Sequence, residues 1–91
     1  MDKYDETHRI ISNMAGVKMR MNSHKGNIED ADADVLLQKL FDEVRELEEA
    51  IKEAKGSTDG NIMHIIEESA DVFNFLVAIT HKQVTKYRER K

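Results

Sequence analysis

The chain has no cysteine, no proline and no tryptophan, and aromatic residues make up only 5% of it. Without cysteine there is neither a disulfide framework nor a thiolate metal site. Without proline nothing breaks a helix from within, and the abundance of Glu, Lys, Leu, Ala, Ile and Met favours helices throughout. Long apolar runs are missing too. No stretch approaches the roughly 20 residues that a membrane helix needs, and the opening MDKYDETHR lacks the apolar centre of a signal peptide. A soluble, cytoplasmic protein with no membrane partner is therefore expected. An excess of basic charge is absent as well: 14 Lys and Arg stand against 18 Asp and Glu, a net charge of -4. Sequence-independent nucleic-acid binding rests on a basic surface, so no nucleic-acid partner is expected.

The 91 residues are read as a single helical domain over residues 1–91. A domain this short buries only about 60–65% of the surface its unfolded chain exposes, so self-association would help it. Three helices are expected. The first runs from Lys3 to about Met21, with Gly16 and β-branched residues weakening it. Asn22 to Asp30 collects Asn, Ser and Gly and reads as a loop. Asp30, Asp32 and Asp34 then offer N-caps for a second helix over Val35 to Ala54, whose apolar stripe is Leu36, Leu40, Val44, Leu47, Ile51 and Ala54. It should end at Lys55, with Gly56 as a left-handed cap. After a loop ending at Gly60, Asp59 or Asn61 caps a third helix that starts at Ile62 and runs at least to Thr80. Beyond His81 the run KQVTKYRERK either continues that helix or frays into a basic tail. Ala70 to Ile79 is apolar on nearly every side, which marks a helix at the centre of a bundle. The fold class is thus all-α, with antiparallel helices packing into a four-helix-bundle-type oligomer.

Two acidic pairs carry the chemistry. Residues three apart share a helix face, so Glu43-x-x-Glu46 and Glu68-x-x-Asp71 each present two carboxylates in one direction. Brought together, they form an all-oxygen site that suits magnesium, or manganese, rather than zinc. Magnesium commonly binds substrate phosphates along with its carboxylates, so the site suggests phosphate chemistry. The blander reading makes Glu43, Glu46, Glu48 and Glu49 a solvated face paired with Arg45 and Lys52. Asp71 interrupts an apolar run, where a charge must be either coordinated or paired, the pairing partners on offer being Lys18 and Arg20. Asn74 is either a site residue or a buried amide that fixes helix register. His64, four residues before Glu68, can face the same site. No Glu-x-x-His pair is present, which argues against a ferritin-like di-iron centre.

Glu43-Val44-Arg45-Glu46-Leu47, followed after a short loop by Glu68-Ser69-Ala70-Asp71-Val72, resembles the split acidic signature of the MazG-like all-α nucleoside triphosphate pyrophosphohydrolases. Lys18-Met19-Arg20, Asn22, His24-Lys25-Gly26, Leu36-Leu37, Ala50-Ile51 and the run Ala70 to Phe75 extend the likeness over roughly residues 14–80, toward the short single-domain type found in phages and bacteria. The resemblance implies hydrolysis of a nucleoside triphosphate between its α and β phosphates. It implies Glu43, Glu46, Glu68 and Asp71 as catalytic magnesium ligands, with Asp42 beside them. It makes Lys18, Arg20 and Lys25 candidates for the distal phosphates, with Lys82, Lys86 and Arg88 as others from the far end. It puts His24 on the substrate side and makes Asn74 and Phe75 candidates to line a base pocket, plain core packing being the alternative for Phe75. It also implies self-association as a homodimer or a dimer of dimers. A relative that binds nucleotide or metal without turnover, or a purely structural helical dimer, is the alternative.

Overall fold

A computed structural model describes residues 2–21, 31–58 and 60–90. The described chain is all-helical: α1 is Asp5–Met21, α2 is Ala33–Lys55 and α3 is Ile62–Glu89. Helix α3 is the spine, since α1 and α2 each pack along it, while the backbones of α1 and α2 stay apart among the described residues. From His64 to Phe75 every residue of α3 is buried or partly buried, as expected of a helix with neighbours on two sides. Among the described residues no helix is long and apolar enough to cross a membrane.

Helix α1 starts two residues later than expected because Asp2 organises a turn ahead of it. The Tyr4 amide donates to Asp2 Oδ1 (2.9 Å), and the Asp2 amide donates to Asp5 Oδ2 (3.1 Å). That reciprocal arrangement serves amides which a helix start leaves without partners. Asp32 takes the N-cap position of α2 with an extended backbone, but its side chain makes no capping hydrogen bond. Asp34 lies in the first turn, where its charge suits the helix dipole. Asp30 and Asp59 lie outside the described residues.

Two expectations about α2 are corrected. Gly56 is not left-handed: its φ of -95° is open to any residue, and its amide closes the last turn on Glu53 and Ala54. Among the described residues the left-handed positions are Gly60 (φ 72°) and Asn61 (φ 44°), immediately ahead of α3. There glycine's freedom is used to reverse the chain. The buried stripe of α2 also lies one step round from the expected one. Leu36, Leu40 and Ala50 are buried and Leu47 and Ala54 partly so, whereas Val44 and Ile51 are 45% and 43% exposed. The residues facing α3 are thus Leu36, Leu40, Glu43, Leu47, Ala50 and Ala54, a strict alternation of four and three. Ala50 and Ala70 are both fully buried, and their small side chains suit close approach at the seam. Glu43 thereby moves from the edge of the apolar face into it.

Helix α3 continues to Glu89, which decides the open question about its C-terminal segment. No glycine or proline after Asn61 interrupts it. The core that results is small: among the described residues Ala15, Leu36, Leu40, Ala50 and Ala70 are the buried apolar ones, and three of these are alanine.

Candidate metal centre

Glu43, on the inner seam of α2, meets the inner face of α3 where Glu68 and Asp71 stand one turn apart. One carboxylate oxygen from each of these three residues lies within 4.8 Å of the others. The predicted fourth ligand, Glu46, is exposed and outside that grouping, although its carboxylate acts on both Glu43 and Glu68 through hydrogen bonding as well as charge. Helix geometry accounts for the difference: Glu43 replaces an apolar residue in the α2 seam, and Glu46 lies three positions on, rotated off it.

The electrostatics follow from crowding and burial. Loss of solvent, the neighbouring Glu46, and then the charges of Asp71 and Glu68 push the Glu43 carboxyl from 4.5 up to about 7. Glu68 is raised as well, first by burial, then by the Glu46 and Asp71 charges, with His64 acting in the opposite sense. The His64 Nδ1 is 3.9 Å from Glu68 Oε1. Glu43 Oε2 and Glu68 Oε2 are fully buried, and no described residue hydrogen-bonds either of them. A buried oxygen left in that condition is costly, and an ion or water is the usual remedy. Three carboxylates with two such oxygens fit a hard divalent cation, magnesium or manganese.

Asp71 already has a protein partner. Lys18 Nζ, from α1, donates to Asp71 Oδ2 at 2.7 Å and to the Glu67 carbonyl at 3.4 Å. Both side chains are about four-fifths buried. The ion pair weighed for Asp71 on sequence grounds is therefore formed, and with Lys18. The Glu67 carbonyl was not foreseen, since a backbone group leaves no signal in a sequence.

The remaining site residues are placed as follows. Asn74 donates through Nδ2 to the Ala15 carbonyl of α1 at 3.0 Å, the arrangement of an amide that fixes register. Phe75 is partly buried on α3. Asp42 is exposed and pairs with Arg45, and Glu48 with Lys52, so this outer part of α2 is the solvated face that the blander reading proposed. Lys82, Lys86 and Arg88 lie on the C-terminal part of α3, about three to five turns beyond Asp71. His24 and Lys25 lie outside the described residues. Compared with known protein families, with curated proteins and with solved structures, the chain matches none.

Proposed function

We propose that this chain is a magnesium-dependent nucleoside triphosphate pyrophosphohydrolase. The observation that carries the reading is the convergence of Glu43, Glu68 and Asp71 around two buried carboxylate oxygens with no partner among the described residues. That favours a cation site over a decorative acid edge. The nucleotide substrate comes from the MazG-like resemblance of the two acidic segments. Glu43, Glu68 and Asp71 would hold the ion, with Glu46 beside them. When bound, it would neutralise the triphosphate and lower the pKa of a water molecule. In the reaction a water oxygen bonds to the α phosphorus, the bond from that phosphorus to the bridging oxygen breaks, and pyrophosphate leaves. The carboxylates take the water's proton. Glu46, exposed and outside the three-residue grouping, is the member assigned to it. The protein then works on the cytoplasmic nucleotide pool.

The same reading includes an antiparallel, four-helix-bundle-type oligomer, a homodimer or a dimer of dimers. Two pairs of contacts support opposed directions for α1 and α3: Ala15 meets Asn74, and Lys18, three residues later, meets Asp71, three residues earlier. Surface area supports self-association. The chain exposes 7123 Å², against about 5400 Å² for an ordinary monomer of this mass. Its radius of gyration is 15.0 Å, against about 12 Å.

One observation favours a second reading, a non-catalytic or structural module: Lys18 already supplies Asp71 with a cation. The two readings part on one experiment. A panel of nucleoside triphosphates with magnesium, assayed separately for pyrophosphate and orthophosphate, should give pyrophosphate. The non-catalytic module would give neither product.

A further inference from the structure

We propose that Lys18 is an internal counter-ion that occupies Asp71 when no metal is bound and must leave that carboxylate for a divalent ion to be held by Glu43, Glu68 and Asp71 together. The inference rests on the metal site proposed above and adds a positioning role for α1 that the acidic residues alone do not imply.

The geometry is specific. Lys18 sits on the inner side of α1, one turn from the fully buried Ala15, at a position that an apolar residue would ordinarily fill. Its ammonium reaches across to α3 and divides its hydrogen bonds between Asp71 Oδ2 (2.7 Å) and the Glu67 carbonyl (3.4 Å). The side chains are only 21% and 20% exposed, so the contact is far less screened than an exposed surface pair. Asp71 is also one of the three residues whose oxygens converge. An ammonium and a divalent ion on the same carboxylate group repel one another, and the charge on Lys18 lowers the attraction of the cluster for any further cation. The lysine stem has four rotatable carbons, so the head can move away while α1 stays where the Asn74 bond to Ala15 holds it. Once off Asp71, the ammonium would be free to meet a phosphate oxygen of the substrate. Lys18 would then exchange a carboxylate of the protein for the phosphate of the substrate.

The wild-type chain and Lys18→Met are titrated with magnesium alone by calorimetry. Methionine keeps the length and apolar body of the side chain and removes its charge. Magnesium should bind Lys18→Met on the order of tenfold more tightly, the scale of a charge-assisted hydrogen bond no longer in competition. Lys18→Arg, which keeps the charge, should stay within a few-fold of wild type. A measurement on the unaltered protein guards against a variant that folds poorly. An amine-acylating reagent, with labelling read by mass spectrometry, should modify Lys18 several-fold faster under saturating magnesium than without it. If wild type binds magnesium but Lys18→Met binds no more tightly, or Lys18 labelling does not rise, the counter-ion role is wrong and the metal site stands. If neither wild type nor Lys18→Met binds magnesium or manganese, the metal site is wrong and the counter-ion role goes with it.

Discussion

Asn74 on α3 donates its side-chain amide to the backbone carbonyl of Ala15 on α1, 59 residues earlier in the chain, at 3.0 Å. One turn along, the Lys18 to Asp71 pair joins the same two helices. The Lys18 hydrogen bond to the Glu67 carbonyl and the edge-to-face contact of His8 with Phe73 join the two helices as well, and Ala15 is the buried residue of α1.

Asn74→Ala should lower the melting temperature. The Ala15 carbonyl also lies within α1, where the helix's own bonding engages it, so its loss is the net value of one hydrogen bond, about 1 kcal/mol. For a domain of this size that is roughly 4–8 °C. Thermal unfolding followed by circular dichroism measures it, and an unchanged midpoint would show that the Asn74 bond does not anchor α1.

How far the sequence disclosed this arrangement depended on what each residue's signal could carry. Helix number, and the central place of α3, were legible because a helix apolar on nearly every side, preceded by two amphipathic segments, has few ways to pack. The α2 seam was read one step off, because Val44 and Ile51 are more apolar than Glu43 and Ala50. The structure instead faces α3 with a small residue at Ala50 and a carboxylate at Glu43. Spacing alone suggested a cluster of four carboxylates, of which the structure groups Glu43, Glu68 and Asp71; spacing could not separate Glu46 from the other three, since one helical step decides it. Lys18 was foreseen both as a phosphate ligand and as a partner of Asp71, and only the tertiary contact places it on Asp71.

The pH dependence of the metal-free protein follows from Glu43. Its folded pKa, about 7, lies above its ordinary 4.5, because burial and neighbouring carboxylates disfavour the charged form. A raised folded value means that the folded state holds the proton more tightly. This group's contribution to stability is fully present below about pH 4.5 and is lost as pH rises through about 7. Melting temperatures in a metal chelator should therefore fall between about pH 5 and pH 7.5, and Glu43→Gln should flatten that fall. A midpoint that climbs across this window in wild type would contradict the crowded-carboxylate description.

Glu68→Gln should have two opposed effects. It removes a buried charge whose neighbours disfavour it, so the metal-free protein should melt at the same temperature or higher. It also removes a ligand of the proposed ion. Wild type at a magnesium concentration about 100 times its dissociation constant should gain about 2.7 kcal/mol, or roughly 10–20 °C, and the variant should lose most of that gain. Differential scanning calorimetry with and without magnesium reads both. A destabilised apo variant with an intact magnesium response would remove Glu68 from the metal centre. Asp71 is the less clean choice for this test, because its replacement also strips Lys18 of its partner.

Self-association is tested at the apolar side of α3. Leu76 and Val77 are 49% and 47% exposed and border an open groove with Phe73, Thr80, His81 and Val84. Burying that surface against a second copy removes apolar area from water. Sedimentation at micromolar concentration should give at least twice the chain mass, and Val77→Glu should shift it toward the monomer. A wild-type monomer would contradict the bundle-type oligomer.

The central claim is attack at the α phosphorus of a nucleoside triphosphate. Turnover with magnesium in water enriched in heavy oxygen, with mass spectrometry of the products, places the new bond directly. The account predicts one heavy oxygen in the nucleoside monophosphate and none in the pyrophosphate, with the reaction abolished in Glu68→Gln. Heavy oxygen in pyrophosphate or orthophosphate, or no turnover of any nucleoside triphosphate, would contradict it.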